Sequence, residues 1–279
     1  MKRHTLIALA AALAMAGGAA GCAATSQSGF SAAHRTALEA AIASPMRTPA
    51  NVLRDPYRNP GPTLAFFGVK PSDTVVEIWP GGGWYTEILA PYLRAGGGSY
   101  IAAAPPPGVQ RMTEWRNNNQ SKFGLFDVAA FPTFEAGQQG VADGTADVVL
   151  TFRNVHNWRM GSGRNNQDYS REAFQQMFRM LKPGGTLGVV DHRLPEEADV
   201  EREKSSGYVK TSTVRRLAEE AGFQLVEASE INANAKDTAD WPDGVWTLPP
   251  SLRLKEKDRE RYLAIGESDR MTLRFVKPK

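Results

Sequence analysis

The sequence predicts an α/β fold in which a mostly parallel sheet of seven strands is flanked by helices. Two observations predict it. Short apolar, β-branched stretches alternate with helix-like stretches along most of the chain, and the first such strand runs directly into a glycine turn and a helix. The 279 residues suffice for one domain with a full core, and 42% hydrophobic with 23% charged residues is typical of a soluble globular protein.

A targeting segment is expected at the N-terminus. A basic head at Lys2 and Arg3 precedes an unbroken apolar stretch and a run of small residues that ends at Cys22, the only cysteine. This order is typical of an export signal, and it resembles a bacterial lipoprotein signal, in which Cys22 would be lipidated. Ordinary secretion with cleavage near Ala24 is an alternative, and a short buried helix is another.

We therefore assign residues 1–22 to a signal peptide and expect an exported, periplasmic protein that touches a membrane only through a lipid anchor. A single cysteine allows no disulfide within one chain. Without Lys2 and Arg3 the chain has 31 basic and 30 acidic residues, a balance that gives no support to nucleic-acid binding.

The residues before the sheet form a separate predicted unit, 23–63. Residues 23–30 read as a tether, and an alanine-rich helix follows from Ala32 to Ala43 with Ser31 as its cap. The segment from Arg54 to Pro62 has three prolines and is expected to be irregular. It is either a solvated connector or a flap over a ligand.

Residues 64–279 form the predicted main domain. Its helices are expected after the first, second, fourth and fifth strands, and a long span at 230–270 separates the last two strands. Because that span carries aromatic residues, we expect a lid-like insertion and not disorder. The predicted strands are Thr74–Ile78, Ser99–Ala103, Gly124–Phe131, Asp147–Thr151, Thr186–Asp191, Gln224–Ser229 and Met271–Val276.

The glycine turn after the first strand predicts a nucleotide-sized site. A strand-to-helix turn offers free N–H groups, and glycine lets a ligand approach the backbone closely. Trp79 stands where such loops usually carry their first glycine. The second strand ends in Ala104-Pro105-Pro106-Pro107, without the acidic residue that normally holds ribose hydroxyls there.

The order of these pieces resembles the Rossmann-like class I S-adenosylmethionine-dependent methyltransferase fold over about residues 60–279. The chain as a whole looks like a family of exported bacterial predicted methyltransferases, and there is a distant likeness to the ubiquinone and menaquinone C-methyltransferases. The motifs that carry the resemblance are Val75–Gly83, Asp147–Leu150, Phe152–Val155 and Leu181–Leu187.

This resemblance implies S-adenosyl-L-methionine as cofactor and methyl transfer to a small or lipid-like acceptor. It implies that Glu77 supports the glycine loop and the cofactor. It also implies that the backbone of Gly81, Gly82 and Gly83 approaches the amino-acid part of the cofactor, and that Asn154 faces the sulfonium end.

Candidate catalytic residues lie at two strand ends. Methyl transfer needs a nucleophile in line with the sulfonium and often a base. His156 follows the fourth strand and Asp191 with His192 ends the fifth, where ligands bind in open α/β sheets. The alternative for each histidine is a loop residue that bonds to backbone. No recognised metal-ligand spacing occurs, so no metal is expected.

Five aromatic residues are candidates for a flat apolar acceptor pocket that would suit a quinone or a phenol. Their alternative is packing in the core or the lid. They are Trp84, Tyr85, Trp158, Trp241 and Trp246.

Other functions are compatible with the same sheet. An exported protein could keep the fold and bind a ligand without methyl transfer. An NAD-dependent oxidoreductase is disfavoured, because Gly81-x-Gly83 continues to Thr86 where glycine is needed and the ribose acid is absent. A serine hydrolase is excluded by the lack of a Gly-x-Ser-x-Gly elbow.

Overall fold

The computed structural model describes residues 30–279, so the predicted signal, Cys22 and nearly all of the tether lie outside the described residues. Within that range, no helix is both long enough and apolar enough to cross a membrane. Eight strands form the sheet: β1 (Thr74–Ile78), β2 (Ser99–Ala104), β3 (Asp127–Ala130), β4 (Ala146–Phe152), β5 (Leu181–Leu194), β6 (Val209–Lys210), β7 (Gln224–Ser229) and β8 (Arg270–Val276).

The sheet is mostly parallel, as predicted. Seven strands follow the order β3-β2-β1-β4-β5-β8-β7, and the two-residue β6, which was not predicted, pairs with β5 off this path. The first five strands pair in parallel, while β8 is antiparallel to both β5 and β7. The carboxyl ends of β1, β2, β4 and β5 therefore lie at one edge, where a ligand site is expected.

Helices cover both faces of the sheet. Three short 3-10 helices occur as well, at Pro106–Gly108, Val200–Lys204 and Gly244–Thr247. The α-helices are α1 (Ala32–Ile42), α2 (Pro49–Val52), α3 (Asp55–Arg58), α4 (Pro60–Phe66), α5 (Thr86–Ala95), α6 (Val109–Asn118), α7 (Gln120–Phe123), α8 (Val155–Arg159), α9 (Ser170–Met180), α10 (Thr211–Ala221) and α11 (Arg259–Ile265).

Two core clusters lie on opposite faces because successive strand residues alternate in direction. Val76 and Ile78 of β1 pack in the cluster that contains Phe174 of α9. Val75 of the same strand packs in the other cluster, with Leu89 of α5. The glycine turn leaves β1 between these two cores.

The segment from Arg54 to Pro62 is helical, so the expectation of irregular structure was wrong. Its prolines sit in the first turns of α3 and α4, where the missing N–H is not needed. Asn59 joins the two helices in the left-handed region with φ of 42°, and its Nδ2 donates to the Ile231 carbonyl at 2.8 Å. The predicted cap at Ser31 is confirmed, because its side chain accepts from the His34 N–H.

The span between β7 and β8 has its own small core. Trp241, Leu248 and Tyr262 pack there against Leu194 and Tyr208 from outside the span. This insertion lies before the last strand, as predicted, and the aromatic residues explain why it is ordered.

Candidate active site

Two adjoining cavities open at the carboxyl edge of the sheet. The first, of about 330 Å³, is called the polar cavity because four arginines and two histidines line it. The second, of about 440 Å³, is called the apolar cavity, and Met112 and Trp115 line it. The two share a wall of five residues: Trp79, Pro80, Gly81, Gly82 and Asn154.

The glycine turn forms part of that shared wall. A side chain at Gly81 or Gly82 would meet no protein atom within 4 Å, so the backbone there faces open space. Gly83 differs from them: it is buried, and a Cβ at that position would lie 2.9 Å from the Trp115 ring. Gly81 and Gly82 thus lie where a ligand can approach, whereas Gly83 provides room for Trp115.

Glu77 lines the polar cavity from the end of β1. The Tyr100 hydroxyl donates to its Oε2, and the Thr86 hydroxyl does so at 3.3 Å. Burial raises the pKa of Glu77 to about 7, against these hydrogen bonds, which favour the ionised form. Protein groups hold this carboxyl in place.

Asn154 ties two strand ends together and lines both cavities. Its Nδ2 donates to the Ile78 carbonyl at 2.8 Å and to the Thr151 hydroxyl at 3.2 Å. Asn154 therefore lies beside the glycine turn.

Trp79 lies across the end of β2. Its backbone is in the left-handed region with φ of 50°, and its Nε1 donates to the Phe131 carbonyl, after β3, at 2.7 Å. Because β2 lies between β1 and β3, the indole covers the place where a nucleotide ribose lies in open α/β sheets. Of the described residues that line the apolar cavity, none is acidic, and Arg111 is among them.

His156 and Asp191 form a buried pair. The His156 Nδ1 lies 2.7 Å from the Asp191 Oδ1, and Asp191 also accepts from the backbone N–H groups of His156 and His192. This carboxylate holds the proton on Nδ1, so Nε2 is the free nitrogen of a ring that lines the polar cavity. The pair has the arrangement of an oriented general base.

His192 lines the same cavity, with its ring centroid 5.0 Å from that of His156. Its Nδ1 bonds to the Ser268 hydroxyl. Burial, and then the neighbouring His156, lowers the pKa of His192 well below its usual range, so this ring stays neutral. The structure thus brings the three predicted catalytic residues together. Their ligand atoms lie within 4.8 Å of one another, a spacing that would also admit a metal ion.

Three of the aromatic candidates line the polar cavity, and two of those three, Trp84 and Tyr85, are also buried in the core cluster that contains Leu89. Trp84, Tyr85 and Trp246 line the polar cavity. Trp158 and Trp241 pack in core clusters. The insertion brings Trp246 to the cavity together with Val245, Pro249, Pro250 and Ser251.

Sequence reasoning did not single out the four arginines of the polar cavity. They are Arg54, Arg58, Arg153 and Arg270, and Glu267 lies among them. They come from three distant parts of the chain, so no local motif marks them. The one signal is that Arg54 and Arg58 belong to the segment for which a flap over a ligand was one of the two interpretations.

Comparison with sequence-family profiles found no match, and comparison with curated proteins found none either. Solved structures do match. The chain is similar to a SAM dependent methyltransferase from Aquifex aeolicus, with a TM-score of 0.51 and 15% identity over 87% of this chain and 98% of the other. It is also similar to a candidate sarcosine dimethylglycine methyltransferase from Galdieria sulphuraria, with a TM-score of 0.51 and 17% identity over 77% of this chain and 81% of the other.

The chain has the class I methyltransferase fold. At these identities the likeness concerns the fold, which hosts more than one function, so the activity has to be argued from the site.

Proposed function

We propose that this protein is an S-adenosylmethionine-dependent methyltransferase that acts on a small acceptor bound in the polar cavity. The observation that carries the proposal is the His156–Asp191 pair, which faces this cavity a short way from the glycine turn. A base beside a backbone turn that can hold a donor is the arrangement that methyl transfer needs.

The two joined cavities fit such a donor in size and character. Met112 and Trp115 offer an apolar lobe for a flat ring, and Gly81 and Gly82 offer free backbone between the lobes. The apolar cavity is lined by Trp79 and by Ala104 at the end of β2, so the adenosine part would be held there. When bound, S-adenosylmethionine supplies an electrophilic methyl group on a sulfonium.

The chain's own residues would handle the proton. His156 Nε2 takes the proton that an acceptor O–H or N–H releases as its oxygen or nitrogen bonds to the methyl carbon, and the C–S electron pair goes to sulfur. Asp191 stabilises the imidazolium that forms. A positioned base of this kind contributes about 10²- to 10⁴-fold to a rate.

A second candidate function is ligand binding without methyl transfer. Two observations favour it: the Trp79 indole over the end of β2 and the lack of an acidic residue in the apolar cavity wall. With both features, the end of β2 lacks the acidic side chain that usually bonds to the ribose hydroxyls of an adenosyl ligand.

Calorimetry on the leaderless protein separates these functions, with S-adenosylmethionine, its demethylated product and NAD as ligands. We expect both S-adenosyl compounds to bind. Gly82→Val should abolish that binding, because a Cβ at this position meets no protein atom within 4 Å and would project into the open space beside the shared wall. Gly61→Ala is the matched control: its Cβ would make an ordinary 3.4 Å contact with Ile42, away from both cavities.

The outcomes are distinct. Failure of S-adenosylmethionine to bind overturns the methyltransferase proposal, and binding of NAD alone would favour the oxidoreductase. The His156→Gln variant should still bind S-adenosylmethionine and should lose methyl transfer, which would support His156 as the general base. Undiminished methyl transfer by this variant would contradict that role.

We also propose that the protein is exported and that Cys22 carries its lipid anchor. The order of basic head, apolar stretch and small residues before Cys22 supports this.

A further inference from the structure

Four arginines on one side of the polar cavity form what we call the arginine cluster. Arg54 precedes α3 and Arg58 is its last residue, Arg153 follows β4, and Arg270 begins β8. All four line the cavity, on the side where Tyr85 stacks on Phe152. Four guanidinium groups at one cavity wall need a source of negative charge.

The chain supplies too little of it. Glu267 is the carboxylate of the cluster, and its ion pairs go to Arg54, Arg58 and Arg270. Within residues 30–279, Arg153 is paired with no acidic side chain, and the nearby Glu77 is held by Tyr100 and Thr86. With Glu267 and Glu77 both ionised, two of the four positive charges stay uncompensated.

Asp191, towards the end of β5, does not close this gap. It already accepts hydrogen bonds from the His156 ring and from two backbone N–H groups. Asp191 therefore stabilises His156 and the adjacent backbone and, in the described part of the chain, forms no ion pair with the arginines.

Hydrogen-bond donors of the cluster are also left without acceptors. Arg58 is only 4% exposed, yet neither its Nε nor its Nη2 has a hydrogen-bond partner among the described residues. The same holds for Nη2 of Arg54 and Nε of Arg270. Buried donors without acceptors are rare in folded proteins, because each forfeits its bond to water.

The guanidinium of Arg58 is nevertheless fixed in place. It lies 4.7 Å from the Trp84 ring centroid, and Trp84 donates its indole N–H to the Asn51 carbonyl at 2.8 Å. A preorganised guanidinium loses little side-chain entropy when a ligand binds.

The titration of the cluster agrees with an excess of positive charge. Burial, and then the charge of Arg153, lowers the pKa of Arg58 to about 8. Burial, and then the charge of Arg270, lowers the pKa of Arg153 to about 10. An oxyanion in the cavity would raise both values again.

We propose that the arginine cluster binds a doubly charged oxyanion on the acceptor, such as a phosphate ester or a pair of carboxylates. The proposal deepens the proposed function by giving the acceptor's chemical class. The methyl donor does not supply two negative charges, because it has a single carboxylate and its sulfonium and ammonium make it a net cation. The acceptor's anion would sit against the four arginines, in the same cavity that His156 lines.

The test is calorimetry on the leaderless protein at fixed ionic strength, with inorganic phosphate and malonate as separate probes. We expect one or both to bind the unmodified protein, and the stronger probe tells phosphate from dicarboxylate. Arg153→Gln should weaken that binding about tenfold or more, because a charge-assisted hydrogen bond is lost. It should still fold, since Arg153 leaves no carboxylate behind unpaired.

Arg58→Gln provides a second variant with the same expected loss. Arg215→Gln is the matched control, because Arg215 pairs on the exposed face of α10 with Glu219, and its variant should bind like the unmodified protein. No binding of either probe, or equal binding by the Arg153→Gln variant, overturns the inference.

Binding of S-adenosylmethionine is measured in the same samples. A protein that binds the donor and neither oxyanion keeps the proposed function and loses this inference. A protein that binds an oxyanion through Arg153 and no donor keeps the anion site and loses the methyltransferase proposal.

Discussion

Glu77 and Trp79 stand two positions apart, but the sequence predicts the place of Glu77 better than it predicts that of the Trp79 side chain. An acidic residue at the end of a strand before a glycine turn is a recognisable pattern, so its place beside the turn could be predicted. The direction of the Trp79 side chain could not, because it depends on the Phe131 carbonyl, which lies 52 residues further along the chain. A left-handed backbone at a tryptophan is uncommon, and only the fold shows it.

At Glu77 the structure predicts a specific dependence of stability on pH. Its pKa is raised to about 7 in the folded state from 4.5, chiefly by burial, so between these pH values the folded state binds a proton that the unfolded state has lost. Its contribution to stability is present below pH 4.5 and is lost as the pH rises through 7. We therefore compare the free energy of unfolding of Glu77→Gln with that of the unmodified protein at each pH. This difference should shift in favour of the variant by roughly 2–3 kcal/mol between pH 5 and pH 8.

Urea unfolding at both pH values measures this change. Glutamine can still accept the Tyr100 hydrogen bond, and all other titrating groups are shared by both proteins, so their difference isolates Glu77. Glu219→Gln, on the exposed face of α10, is the control and should show no such change. Parallel pH profiles for Glu77→Gln and the unmodified protein would contradict the raised pKa.

Among the elements, the insertion depends on one buried carboxylate. Asp237 accepts hydrogen bonds from the Trp241 indole at 2.6 Å, from the Tyr208 hydroxyl at 3.0 Å and from the Asp269 N–H at 2.8 Å. These bonds join the insertion to the residue that precedes β8 and to the segment before β6. The same insertion brings Trp246 to the polar cavity.

Asp237→Asn should therefore loosen the insertion. It places an NH₂ group against donors, and one unsatisfied buried donor costs about 1–3 kcal/mol. We expect a loss of that size in the free energy of unfolding. Relative to the unmodified protein, amide hydrogen exchange should become faster at 238–265 and should stay the same in β1 and β4.

Asp240→Asn is the matched control, because Asp240 is exposed and bonds only locally to Thr238. It should change neither quantity measurably. Equal exchange in the insertion of both variants would show that its apolar core alone holds it.

The elements show where local signals suffice. β1 has the bounds that its apolar, β-branched residues and the glycine turn after it predict, and α1 begins directly after its predicted cap. The sequence does not predict α3 or the first turn of α4, because proline usually interrupts a helix, although it is well placed in the first turn. The pairing of β8 between β5 and β7 is a long-range property that no local pattern carries.

For the whole molecule, the export proposal gives a prediction of its own. In bacterial cells supplied with a labelled fatty acid, the full chain should take up the label and partition with membranes. Cys22→Ser should lose both properties, since the thiol is the attachment point. A label that persists in Cys22→Ser contradicts the anchor, and an unlabelled protein released with the periplasm favours ordinary secretion.

The sequence by itself determined the α/β class, most strand positions, the glycine turn and the strand ends that carry His156, Asp191 and His192. These follow from residue periodicity and turn chemistry, which act over a few residues. Only the tertiary structure decided that Asp191 orients His156, that Trp79 covers the end of β2, and that four arginines meet at one cavity. Such features arise because packing brings together side chains from segments up to 213 residues apart, as in the Arg54–Glu267 pair.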